Sequence, residues 1–149
     1  MKRTVVAAAA LLLGAGAVMA QQDLVKQSQD TMKANAKNLG GVLIAMVKGE
    51  KPYDQAAVNA AQAQLDETAK KLPTMYPASL KAAKFEGDYG PSPKIWEDQA
   101  GFKAKIESFA KVATEAKAKI KDLDSLKATA PAIGKECGGC HETFRVKNS

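Results

Sequence analysis

Histidine and cysteine are almost absent from this chain: one His and two Cys in 149 residues. All three fall in a single pentapeptide, Cys137-Gly138-Gly139-Cys140-His141. That scarcity excludes a good deal. A zinc site normally takes four ligands, and only three Cys and His residues exist to supply them. A disulfide between residues so close in sequence closes too small a loop to add much stability. A thioredoxin-like redox pair sits at a helix N-terminus after a strand, and β-branched residues here are few and never alternate. No set of side chains forms an evident catalytic acid, base or nucleophile constellation. Aromatic residues make up only 5% of the chain and do not interleave with a basic block, so nucleic-acid binding has no support.

What is present begins with a leader. MKRTVVAAAALLLGAGAVMA has a charged start at Lys2 and Arg3, an apolar run from Val5 to Leu13, and a small-residue site at Val18-Met19-Ala20. This predicts a signal peptide over 1–20, cleaved to leave 21–149 as one exported domain. The apolar run is short and soon followed by polar Gln21-Gln22-Asp23, so it does not read as a membrane span. Loss of the leader lowers the basic count from 22 to 20 against 16 acids, a net charge of +4. The lysines are spread along the chain and read as solvated helix faces.

Spacings of three and four residues predict four amphipathic helices. The first, 23–48, carries Val25, Met32, Ala36, Leu39, Leu43 and Met46 on one stripe and ends at Gly49 and Pro52. The second, 54–72, starts at the N-cap Asp54, aligns Val58, Ala61, Leu65, Thr68 and Leu72, and is stopped by Pro73. A long connection runs to Pro93. The third, 93–122, has the cleanest stripe: Phe102, Ile106, Phe109, Ala113, Ala116, Ile120 and Leu123. The fourth, 124–146, starts at Asp124 or Ser125, carries Leu126, Ile133, Cys137, Cys140 and Phe144, and has Pro131 inside, which predicts a kink or a late start. The fold class that follows is all-α, an antiparallel up-down-up-down four-helix bundle.

Cys-x-x-Cys-His is the attachment signature of a c-type haem. On a helix, Cys137 and Cys140 emerge on one side and both reach one porphyrin, while His141, four after Cys137, lies on the same face and reaches the iron. Gly138 and Gly139 leave room for the ring edge at a cost of about 1 kcal/mol each in helix propensity. With a single His, any sixth ligand is Met, Lys, water or a gas; the available methionines are Met32, Met46 and Met75.

A leader, four amphipathic helices and the motif near the C-terminal end together resemble the cytochrome c′ family, whereas ordinary small cytochromes c carry the motif near the N-terminus. VKGEKPYD at 47–54, PKIWED at 93–98 and CGGCHETFR at 137–145 agree with it, and the resemblance spans the mature chain. It implies a periplasmic monohaem protein with one covalent haem c, Cys137 and Cys140 as thioethers and His141 as the proximal ligand. A five-coordinate high-spin iron, serving electron transfer or binding of nitric oxide or carbon monoxide, is the expectation. The alternative is a six-coordinate low-spin electron carrier with Met32 as sixth ligand, as in close relatives of the family; the bland role for Met32 is a space-filling core residue. A weakly peroxidase-like haem enzyme is a further alternative, but no distal His or Arg remains to serve it, so the chain does not read as an enzyme.

By position, the resemblance also assigns Met32, Ser28, Gln29, Glu86 and Arg145 to the haem pocket. Arg145 matches the family's basic residue near the proximal face; it also reads as a solvated cation favourable to the helix dipole. Ser28 stands where the family commonly has Arg, and Pro131 departs from the family as well. Trp96 reads as a core or helix-contact aromatic. A homodimer through the first two helices is implied, with the apolar run at Gly40–Ile44 as its surface. The redox partner protein is not legible.

Overall fold

The computed structural model describes the backbone of residues 3–148 and the side chains from residue 19 onward. The leader expectation for 1–20 falls almost wholly outside the described side chains. Four long helical segments alternate in direction to form the bundle. The first comprises α1 (Arg3–Asn38), a π-helical stretch at Leu39–Ile44 and α2 (Ala45–Val47). It is followed by α3 (Gln55–Met75), a short α4 (Lys94–Glu97), α5 (Gln99–Lys119) and α6 (Leu123–Phe144). No helix among the described residues is long and apolar enough to cross a membrane. The helices pack α1 on α3, α3 on α5 and α5 on α6, and the π stretch closes the ring against α3 and α6.

The predicted stripes form the core. Leu43, Val58, Leu65, Leu126 and Ile133 are completely or almost completely buried, and Ile106, Phe109 and Ala116 join them from α5. Each buried branched side chain contributes about 1.5–3 kcal/mol of hydrophobic stabilisation. Thr68 is tolerated in the core because its hydroxyl donates to the Asn35 side-chain carbonyl at 2.9 Å. Ala36, one turn after Met32 on the same stripe, is exposed because it lines a cleft and not the packed core.

The helix ends differ from expectation in physically simple ways. Asp54 caps α3 as read, accepting from the Ala56 and Ala57 N–H groups at 2.8 and 3.1 Å. Pro73 does not stop α3, which continues to Met75. The proline sits in the last turn with its ring exposed, so the cost of its missing N–H and of crowding the preceding turn falls at the end of the helix, where little helix remains to be disrupted. The third helix is not continuous from 93: Asp98 breaks it at φ −118°, ψ 67° and caps α5 by accepting from Gly101 N–H at 2.9 Å. It ends at Lys119, not 122, because Ile120 is extended and buried.

The fourth helix starts earlier than expected, at Leu123. Asp122 accepts from Ser125 N–H at 2.8 Å, while the Asp122 N–H donates to Ser125 Oγ at 3.0 Å, a reciprocal capping box. Pro131 therefore lies well inside α6, exposed, where the carbonyl it frees faces the solvent side. In the first segment, the Ala45 N–H reaches back to Gly40 C=O, the five-residue step of a π helix, and Lys51 Nζ donates to Gly41 C=O at 2.7 Å. This register turns Leu43 fully inward and packs Leu39, Val42 and Ile44 partly against the core. Gly49, at φ +76°, then reverses the chain.

A small sheet was not expected. β1 (Tyr89–Pro91) pairs antiparallel with β2 (Arg145–Lys147), joining the long connection to the segment after α6. Three residues a side are too few to show any alternation in sequence. Trp96 is a helix-contact aromatic: its indole N–H donates to the Tyr76 and Pro77 carbonyls at 3.1 and 3.3 Å, tying α4 to the end of α3.

Candidate functional site

A cleft of about 500 Å³ opens between α1, α5, α6 and the long connection. Ser28, Gln29, Met32, Glu86, Cys137, Cys140, His141 and Arg145 all line it, so the residues singled out in sequence converge on one space. Cys137, Cys140 and His141 share one face of α6 and are half-buried. Ile106, Phe109 and Leu72 give the cleft an apolar interior.

The electrostatics follow from that interior. Burial pushes the thiols of Cys137 and Cys140 above their ordinary pKa, with Lys105 pulling Cys140 partly back. Burial, helped by the positive charge of Arg145, holds His141 below its ordinary value, so its imidazole is neutral and has a lone pair to give. Among the described residues, no group of three His, Cys, Asp or Glu side chains is arranged to hold a bare metal ion. Two thiols and an imidazole along one wall of a large apolar cleft suit a flat, apolar molecule anchored at its edge. Lys33, Lys105 and Arg145 share the cleft wall with Glu86, Asp88 and Glu136, so the rim is mixed in charge and offers cations that can pair with an acidic group. The residues fit a haem.

The polar residues of α1 are satisfied locally. Ser28 is buried and donates to the Val25 carbonyl at 2.8 Å, and Gln29 Nε2 donates to the Glu86 backbone carbonyl at 2.6 Å. The Glu86 carboxylate is exposed and lies 4.0 Å from Lys84 Nζ, so Glu86 meets α1 through its backbone. Arg145 lies beyond the last turn of α6, in β2.

The family model described as Cytochrome C′ matches residues 23–145. The chain belongs to the cytochrome c′ family. It is a monohaem c-type cytochrome, and the cofactor of its family is covalently attached haem c. It is 57% identical over 148 residues to cytochrome c-556 of Rhodopseudomonas palustris, covering 99% of each chain. A solved structure of oxidised R. palustris cytochrome c-556 is 55% identical, with a TM-score of 0.75, and covers 86% of this chain and 99% of its own. A ferrous cytochrome c′ of Alcaligenes xylosoxidans with bound NO is 31% identical, TM-score 0.68, over 86% of this chain and 97% of that one.

Several cleft residues of this cytochrome c′ relative escaped the sequence reading. Tyr76, four residues after Leu72 and so on the α3 stripe, turns into the cleft and packs edge-on against Phe102, centroids 6.1 Å apart. Phe102 in turn meets Phe144 at 5.1 Å. The stripe positions of Phe102 and Phe109 were visible, but a stripe does not say which of its members line a cavity. Residues 85–91, all on the cleft wall, carry no periodic signal at all.

Proposed function

We propose that this protein is an exported electron carrier. Cys137 and Cys140 hold the haem through thioether bonds, His141 ligates its iron on one side, and Met32 ligates it on the other. The observation that carries this reading is the distribution of methionines. Met32 lines the cleft, whereas Met46 and Met75 are buried in the hydrophobic core. The resemblance alone favoured an open iron. The weight moves to Met32 because, of the methionines in 21–149, it is the one that lines the cleft.

When bound, haem c supplies an iron that cycles between ferric and ferrous states. The chain's part is to fix and insulate it. Two sulfurs on one helix face tether the ring beside its own His141, and a thioether ligand raises the reduction potential while occupying the position a gas would take. The apolar side chains of α5 and α3 keep water from the cleft. Export is supported by the leader pattern and by the start of the family match at residue 23. Periplasmic residence follows from where this kind of haem attachment takes place. Leu39, Val42 and Ile44 keep part of their surface outside the core, which supports a homodimer contact there; sedimentation of the haem-loaded protein reads it.

A second reading has its own support in the NO-bound neighbour. In it, Met32 only packs over an open iron face, and the protein binds a diatomic gas. Optical spectra of both oxidation states, with and without carbon monoxide, separate the two. A low-spin spectrum indifferent to gas, turning high-spin and gas-reactive in Met32→Ala, is the expected result. A high-spin protein that binds carbon monoxide without mutation overturns Met32 ligation. Absence of covalent haem after expression in a host competent for cytochrome maturation overturns both.

A further inference from the structure

The open side of the cleft is closed by one strap, residues 85–91, every one of which lines the cavity. Only its last three residues belong to a strand. Nothing regular holds the rest, so its backbone carbonyls must find partners elsewhere. They do so one after another. Phe85 C=O accepts from Asn148 Nδ2 at 3.0 Å, Glu86 C=O from Gln29 Nε2 at 2.6 Å, and Gly87 C=O from Asn148 Nδ2 at 2.7 Å. Asp88 C=O accepts from the Asn148 backbone N–H at 2.8 Å.

Three of these four consecutive carbonyls are therefore held by one residue. The chemistry is selective: an amide NH₂ has two protons to give, and both are used here. The strap is shaped to receive them. Gly87 takes φ +86°, and a Cβ on Gly90 would stand 2.9 Å from Asn148 Oδ1 and 3.3 Å from Phe85 Cβ. Gly90 is the close-approach residue that lets Asn148 reach across. Further tension comes from the pairing of β1 with β2, which brings Asn148 to the strap directly after the helix that bears CGGCH.

We propose that Asn148 is a positioning residue that latches the 85–91 strap over the cleft and so keeps water from the haem edge. Asn148 does not itself line the cleft; it acts through the strap. The proposal rests on the cleft being the haem site, and its test separates the two. Amide hydrogen exchange at residues 86–90 and at Asn148, whose own backbone N–H is one of the latch bonds, reports the latch by itself in the oxidised, haem-loaded protein, whatever ligates the iron. The reduction potential reports the consequence, because water at the edge stabilises the more positively charged ferric form.

Asn148→Leu keeps the approximate shape and adds no charge but removes both side-chain donors, and Gly90→Ala pushes the latch away from the other side. Exchange at 86–90 is expected to quicken roughly ten- to thirtyfold in each, as for the loss of one or two hydrogen bonds. The reduction potential falls in both. Lys147→Arg, which keeps the charge at an exposed position of β2, changes neither quantity. Unchanged exchange at 86–90 overturns the latch. Faster exchange with an unchanged potential overturns its role in excluding water. Exchange quickened equally throughout the bundle makes Asn148 an ordinary stability residue and overturns the proposal as well. A protein lacking covalent haem but with a tight strap would instead refute the haem site and leave the latch geometry standing.

Discussion

The guanidinium of Arg145 lies over the ring of Tyr89, with Cζ 4.3 Å from the ring centroid. The contact joins β2 to β1 across the mouth of the cleft, immediately after the helix that carries Cys137, Cys140 and His141. The same cation lies close enough to His141 to help hold its imidazole neutral. Arg145 thus fastens the strap and biases the His141 imidazole at once, although its side chain is exposed.

Tyr89→Ala removes the ring beneath Arg145 and should cost about 0.5–1 kcal/mol, the usual worth of an exposed cation–π pair. Tyr89→Phe keeps the ring face and should cost almost nothing. Urea unfolding of the haem-loaded protein, followed by helical circular dichroism, measures both. Equal losses in the two variants would mean that the phenol hydroxyl, and not the ring, is what matters.

The three methionines of residues 21–149 divide by location. Met46→Ala and Met75→Ala delete side chains that are 4% and 7% exposed in the core, and each should destabilise by about 2–5 kcal/mol. Neither should alter the visible spectrum. Met32→Ala should do the reverse, with a large spectral change and a smaller loss of stability because its side chain is only partly buried. Unfolding midpoints and visible spectra recorded on the same samples test the division.

The residues that converge on the cleft were more legible than the helix ends around them. CGGCH could be read because its chemistry is local: five consecutive residues on a helix decide where two sulfurs and an imidazole point. Helix stripes were legible for the same reason, since Val58, Leu65 and Leu72 obey a period that needs no knowledge of neighbours. Pro73 and Pro131 misled because the cost of a proline depends on whether its turn is terminal or solvent-facing, which packing decides. The helix start at Asp122 was missed because Asp122 and Asp124 both look like caps, and only the reciprocal bonds with Ser125 distinguish them. The 85–91 strap was invisible because its partners, Gln29 and Asn148, lie about sixty residues away on either side.

Asp122 also predicts a pH dependence. Hydrogen bonds from the Ser125 side chain and backbone hold its carboxyl below the ordinary value of 3.8. A depressed folded-state pKa means that the ionised cap favours folding above the unfolded value, and that the benefit is lost as pH falls through the folded one. Asp122→Asn keeps a capping oxygen but cannot titrate. Its stability deficit relative to the unmutated chain should be constant from neutral pH down to about 4 and should shrink below that. A deficit independent of pH down to acid unfolding would show that the charge contributes nothing.

At the alkaline end the informative residue is Tyr76, which lines the cleft beside Phe102. Burial pushes its phenol from 10.0 up to about 12, and a negative charge at Cys140 would add to the shift. The second contribution disappears once the Cys140 sulfur is a thioether, but burial persists and grows if a haem fills the cleft. A folded pKa above the unfolded one contributes stability fully present below pH 10.0 and lost as pH rises towards 12. Tyr76→Phe has no proton to lose, so the difference in stability between the two proteins should be flat to pH 10 and then narrow. The span is on the order of 2–3 kcal/mol for a shift of this size. Lysine titration is common to both proteins and cancels in the difference. In parallel, tyrosinate absorbance of the folded protein should lose its latest-titrating step in Tyr76→Phe. If the step that disappears is an early one near the unshifted value, the phenol is not shielded and the cleft admits water at α3.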